Sequence, residues 1–258
     1  LTMNEFTLIN KYLKSLSLKN KNALNLSDDI FFDYKKKFAI SVDTYVHGVH
    51  FVSKDPSFFL KKTIRSSLSD LYCKGIKPDC YFLSVSASKN LISKKWLNKV
   101  KKILRSEQRK FKIVLSGGDT TISTKLSITI VVLGSSKIKP ILRRNSKLND
   151  DIYVTGNIGD SFVGLKALKK EIKIQSSLQK YFINQFYLPN IPFKISSKLN
   201  RFANTSIDIS DGLVSDLMRL INKQDLSFEI FLNKIPISKK LEFFFKKYRK
   251  KREKYLFS

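Results

Sequence analysis

Strand-like and helix-like stretches alternate through both halves of this 258-residue chain, which predicts an α/β or α+β fold. Two further observations agree with it. Short apolar runs with period two, such as "FAISVDTYV" (38–46), are followed by longer runs with apolar residues at helical spacing. Hydrophobic residues make up 42% of the chain, enough for one large core or two smaller ones.

Taken in order, residues Asn4 to Leu16 read as an amphipathic helix with Phe6, Ile9, Leu13 and Leu16 on one side. The strand 38–46 follows, with Ser41 and Asp43 two apart and so on one face. "FFLKKTIRSSLSDLYCKG" (58–75) is helical, and Gly75 is placed to end it. A strand (80–87), a helix around Trp96, Val100 and Leu104, and a strand 111–115 come next, then the strand "LSITIVVLG" (126–134). The polar, basic stretch "KIKPILRRNSKLND" has the character of a linker. This divides the chain into an N-terminal domain (1–138), a connection (139–149) and a C-terminal α/β domain (150–258). In the latter, "IYVTGNIGDSFVGLKALKK" reads as strand, loop and helix. "TSIDIS" (205–210) and "LSFEIFL" (226–232) read as strands around a helix 211–224, and the last 20 residues as a charged, aromatic helix.

The formal charge of +28 is compatible with nucleic acid, an anionic membrane surface or phosphorylated small molecules. Its lysines are spread along the chain, with dense clusters only at 35–37 and 246–254, which is the pattern of a solvated surface. No apolar run approaches the roughly 18 residues of a bilayer span, and no basic-flanked leader opens the chain, so a cytoplasmic protein is expected. Cys73 and Cys80 are expected to be reduced thiols.

Among the acidic residues Asp outnumbers Glu by 15 to 6, and Asp is the residue of caps, turns and metal sites. Asp43 and Asp208 lie inside apolar strand patterns, where an unpaired carboxylate is costly. Ser41 and Ser210 each place a hydroxyl beside one of them. Carboxylates 5 Å apart repel by roughly 3 kcal/mol at an effective dielectric of 20, so several in one place need cations. An all-oxygen donor set selects Mg²⁺ or a similar hard ion, which most often serves polyphosphate chemistry. The pair Gly117-Gly118 before Asp119 in "LSGGDTT" would let backbone N–H groups approach phosphate oxygens. Walker A, kinase and dinucleotide-fingerprint spacings are absent. His47 and His50 form an HxxH with no third ligand nearby, so zinc is not expected.

Six motifs then occur in an order that resembles the thiamine-monophosphate kinase family, within the aminoimidazole-ribonucleotide-synthetase-related superfamily. They are "SDDIFFD" (27–33), "ISVDTYVHGVHF" (40–51), "SLSDLYCKGIKPD" (67–79), "LSGGDTT" (115–121), "LRRNSKLNDDIYVTGNIGDSFVGL" (142–165) and "SIDISDGLVSDL" (206–217). The resemblance implies ATP-dependent phosphorylation of thiamine monophosphate to thiamine diphosphate with several Mg²⁺ ions. It also implies a homodimer whose N-terminal sheets pair into a barrel, with ATP near the seam. By position it assigns metal contacts to Asp29, Ser41, Val42, Asp43, Asp70, Asp119, Asp208 and Asp211. Nucleotide contacts fall to Gly118, Asp119, Arg143 and Ser210, and a substrate contact to His50. Val42 stands where the family often has Thr, so only its backbone carbonyl could serve. The family pattern continues past Ser258 into a Gly-Glu-Asp-Tyr-like segment, so an incomplete C-terminal domain is expected. Neighbouring readings are an inactive or divergent ATP-binding relative and, from another class, a basic nucleic-acid-binding protein. No RNA-recognition or zinc-finger pattern supports the latter, and neither nucleic acid nor membrane is an expected partner.

Overall fold

In the computed structural model, which describes residues 5–221 and 224–257, one mixed sheet carries the N-terminal half. Its strands are β1 (Phe31–Asp33), β2 (Phe38–Val46), β3 (Lys77–Ala87), β4 (Val114–Ile122) and β5 (Ser127–Ser135), in the order β1-β2-β5-β3-β4. β5 runs antiparallel between β2 and β3, and β3 pairs with β4 in parallel. A parallel neighbour needs a crossover, and α3 (Lys94–Phe111) supplies it.

Strand alternation sorts the sheet into two unlike faces. Ala39, Ser41, Tyr45, Tyr81, Ile128, Ile130 and Val132 are buried on one side, against α2 (Pro56–Cys73) and α3. Both helices have defined starts: Asp55 accepts the Ser57 N–H ahead of α2, and Ser93 accepts the Trp96 N–H ahead of α3. Among the described residues no helix covers the other face. Val42, Val131 and Phe82 lie in one row across it, with Val42 60% exposed and Phe82 36% exposed.

The second half is helical: α4 (Asp160–Leu168), α5 (Ser176–Tyr187), α6 (Phe193–Leu199), α7 (Leu213–Leu220), α8 (Lys239–Lys247) and α9 (Glu253–Leu256). Val163, Phe182, Leu217, Leu241, Phe244 and Leu256 form a second apolar cluster there. α5 joins the two cores, since Phe182 belongs to this cluster while Phe186 and Tyr187 belong to the sheet's. Within the described residues no helix is long and apolar enough to cross a membrane, and both cysteines are free.

Several expectations are corrected. The N-terminal helix is irregular, an α-turn at Glu5–Leu8 (α1) passing into π and 3₁₀ turns, and Leu8, Leu13 and Leu16 stay exposed; Asn4 lies outside the described residues. The expected strands at 152–155, 205–210 and 226–232 pair with nothing in the described sheet. Where the expected strand 205–210 ends, the Ser210, Asp211 and Gly212 N–H groups go to the Asp216 carboxylate, which stops any ladder from running on into α7. The helix expected at 211–224 begins at Leu213 and ends at Leu220; residues 222 and 223 lie outside the described residues. The C-terminal helix is broken into α8 and α9 between Lys247 and Glu253.

The strand expected at 111–115 also shifts. Phe111 closes α3, Lys112 reverses the chain in a left-handed conformation, and the glycine pair sits inside β4 instead of following it. A Cβ at Gly118 would come within 1.9 Å of the Leu83 carbonyl oxygen, so the backbone itself requires glycine here. Gly118→Ala is expected to detach part of β4 from β3 and cost about 2 kcal/mol or more, read as a lower unfolding midpoint. An unchanged midpoint would contradict that account of the glycine pair.

Candidate active site

Four separate segments deliver carboxylates to the end of α2. Asp28 and Asp29 come from the turn before β1, Ser41 and Asp43 from the helix side of β2, Asp70 from the last turn of α2, and Asp208 from the unpaired segment before α7. Carboxylate oxygens of Asp29, Asp70 and Asp208 all lie within 4.8 Å of one another. At that spacing two ionised carboxylates repel by about 3 kcal/mol for an effective dielectric of 20.

Hydroxyls fix the geometry. Ser41 donates to Asp70, Ser69 donates to Asp208 Oδ2 at 2.7 Å, and Tyr45 donates to Asp43 Oδ2 at 3.0 Å while meeting Ser67 Oγ at 3.0 Å. Burial, followed by the charges of Asp43 and Asp208, holds the Asp70 carboxyl well above the usual carboxylate range. Asp208 is raised as well, first by burial, with the Ser69 hydroxyl pulling the other way and Asp216 and Asp43 adding to the rise. Such crowding is the electrostatic condition that a bound polyvalent cation relieves.

Two protein cations face this group. The Arg143 guanidinium pairs with Asp29, and its backbone N–H donates to Asp28 Oδ2 at 2.8 Å. Lys74 Nζ contacts Asp28 and Asp29. The connecting stretch 139–149 is therefore wired into the site instead of hanging free. Ile141 N–H donates to the Lys74 carbonyl, Arg144 N–H to that of Leu220, and the Leu142 carbonyl accepts the Thr205 hydroxyl.

Of the residues singled out in the sequence, Asp29, Ser41, Asp43, Asp70 and Asp208 come together, with Arg143 at their edge. Others do not join them within this chain. Asp211 pairs with Arg219 at the mouth of the 208–212 turn, and Ser210 is exposed, its N–H held by Asp216. Val42 points from the helix-free face. His50 folds back on the end of β2, where its Nδ1 accepts the Val46 N–H at 2.9 Å and its ring meets Tyr45 edge-on. Asp119 and Gly118 are on β4, three strand positions from β2 or roughly 14 Å across. Asp119 is moreover level with Ser84, on the face opposite Asp43; a Cβ at Gly117, two residues earlier, would meet the Phe82 ring on that same outer side.

Sequence reasoning missed Lys74, Asp28 and Asp216. Lys74 follows Asp70 by four residues, which puts both on one helix side, a signal hidden among many lysines. Asp216 stands in the first turn of α7, where an acidic side chain collects free backbone N–H groups, and it takes those of residues 210, 211 and 212.

The family "AIR synthase related protein, N-terminal domain" matches residues 26–136, a span that contains all five strands of the sheet. A thiamine-monophosphate kinase of Buchnera aphidicola subsp. Schizaphis graminum is 37% identical over 243 residues, covering 92% of this chain and 74% of that protein. The chain belongs to the thiamine-monophosphate kinase family. Thiamine monophosphate kinase from Aquifex aeolicus superposes with a TM-score of 0.87 at 26% identity, covering 98% of this chain and 83% of that one. AaThiL complexed with AMPPCP and TMP gives a TM-score of 0.85 at 25% identity over 100% of this chain and 84% of that one. The fold is thus that of the thiamine-monophosphate kinases.

Proposed function

We propose that the chain transfers the γ-phosphoryl group of ATP to thiamine monophosphate, giving thiamine diphosphate, with Mg²⁺ at the carboxylate centre. The observation that carries this reading is the convergence of Asp29, Asp70 and Asp208, with Asp43 beside Asp70, from four segments of a chain in this family. The neighbour complexed with AMPPCP and TMP supports the choice of both substrates.

The donor set fits a hard divalent ion: the candidate ligand atoms are carboxylate oxygens, and those of Asp29, Asp70 and Asp208 are close enough to share one ion. When bound, such an ion neutralises and orients polyphosphate oxygens. The chain's own part is positional. Asp29, Asp43, Asp70 and Asp208 would hold the ion, with Ser41 and Ser69 fixing two of them. Arg143 would exchange Asp29 for a phosphate oxygen. Ser210 is presented by a turn that Asp216 ties, and His50 is assigned to the substrate. The attacking oxygen belongs to a phosphate monoester with a second pKa near 6, so it is largely ionised at neutral pH and needs no general base. Transfer is in line, without a phosphoenzyme.

The same reading includes a homodimer. The helix-free face of the sheet carries Val42, Phe82 and Val131 in a row, and every residue of the edge strand β4 is exposed, an arrangement that demands a cover. A second copy seated there would bring Gly118 and Asp119 to the seam. It also includes the two-domain division, with the sheet and most of its core in 1–138, Phe186, Tyr187 and Ile191 packing onto it from the second half, and the helical core in 150–258. The test is an assay of thiamine diphosphate and ADP formation from thiamine monophosphate and Mg-ATP. Equal amounts of both products are expected. Mg-ATP hydrolysis without thiamine diphosphate would overturn the acceptor.

A further inference from the structure

Lys74, just past the end of α2, has no exposed surface, yet its side chain ends in an ammonium group. Nζ lies 2.9 Å from Asp28 Oδ1, 2.9 Å from Asp29 Oδ2 and 2.8 Å from the Ser206 carbonyl oxygen. An ammonium has three N–H donors, and here each has an acceptor. Those acceptors belong to the turn before β1 and to the segment that presents Asp208, while Lys74 itself follows Asp70 by four residues. One side chain therefore ties together the three segments that deliver Asp29, Asp70 and Asp208. Burying a lysine is unfavourable unless it is fully paired, and an apolar side chain of similar length would fill the space without that desolvation. Its charge, more than its bulk, accounts for its place.

We propose that Lys74 is a resident cation of the acidic centre, a positioning residue that sets how many divalent ions the centre takes and how tightly. It occupies Asp29 Oδ2, an oxygen that an ion would otherwise use, and supplies positive charge that a further ion would otherwise supply. The fold of the metal-free chain then depends less on the ion, and the affinity for the ion is lowered by the same repulsion. This inference rests on the reading of the centre as a divalent-cation site.

The experiment titrates Mn²⁺ into the wild-type chain, Lys74→Met and the double variant Lys74→Met/Asp28→Asn, following the free-ion signal by electron paramagnetic resonance. Unfolding midpoints are measured in a chelator and in excess Mn²⁺. Lys74→Met is expected to bind Mn²⁺ at least about tenfold more tightly, or to take up an additional ion, and to gain more from Mn²⁺ in its unfolding midpoint than wild type does. Folding of Lys74→Met only when Mn²⁺ is present would equally support the proposal. The double variant loses one charge of each sign, and it is expected to fold without metal. Unchanged ion number and affinity in a folded Lys74→Met would overturn it, as would a double variant that fails to fold with or without Mn²⁺, since Lys74 would then act through packing. Absence of Mn²⁺ binding by the wild-type chain would overturn the metal reading itself, an outcome distinct from the others.

Discussion

Asp208→Asn is expected to lower the rate of thiamine diphosphate formation at least a hundredfold while making the metal-free chain more stable. The two effects share one cause. The Asp208 carboxylate is within 4.8 Å of those of Asp29 and Asp70, and its ionisation is held above the ordinary range by burial and by Asp216 and Asp43. A folded-state pKa above the unfolded one means that ionisation costs stability, so this group's contribution is greatest at low pH and is lost as pH rises through the raised value. Asn carries no such charge. The stability gain over wild type should therefore be largest near pH 8 and vanish only below about pH 3, where the carboxyl is protonated in both states. Activity moves the other way, because an amide is a poorer partner for a hard cation. Loss of about 3 kcal/mol of transition-state stabilisation corresponds to a factor above a hundred. Urea midpoints in a chelator at several pH values, set beside turnover in Mg²⁺, separate this account from simple unfolding. A variant that is both less stable and less active would speak against it.

Val131→Asp should convert a dimer into a monomer. Val131 is in register with Val42 on one side and Phe82 on the other, at the middle of the helix-free face. Burying a valine side chain is worth about 1.5–3 kcal/mol, and an unpaired carboxylate at the same place costs several more. In a two-fold interface the substitution occurs twice. Light scattering on a sizing column is expected to give twice the 29.8 kDa chain mass for wild type and the single mass for the variant. A wild-type chain that elutes as a monomer at micromolar concentration would contradict the cover proposed for this face.

Local features of the site are legible in the sequence. Alternation in 38–46 puts Ser41 and Asp43 on one face, and helical spacing in 58–75 puts Asp70 on a helix; both hold because each depends on a short stretch with a strong period. The unpaired segment 205–210 reads wrongly as a strand because its apolar alternation is that of one; at its end the Ser210 N–H is taken by Asp216, a contact that only the folded turn reveals. The place of Asp119 depends on strand order. Period and composition do not specify that β5 inserts between β2 and β3 and leaves β4 at the edge. Lys74 is invisible for a similar reason, since its three acceptors are contributed by segments more than forty residues before it and more than a hundred after it.

The convergence of carboxylates on a cation that faces a triphosphate is tested most directly by diffraction from crystals grown with Mn²⁺ and a non-hydrolysable ATP analogue. The account predicts an anomalous peak among Asp29, Asp70 and Asp208, with the analogue's phosphates beside it and Arg143 turned from Asp29 to a phosphate oxygen. Nucleotide bound elsewhere, with no anomalous density at those three carboxylates, would contradict it.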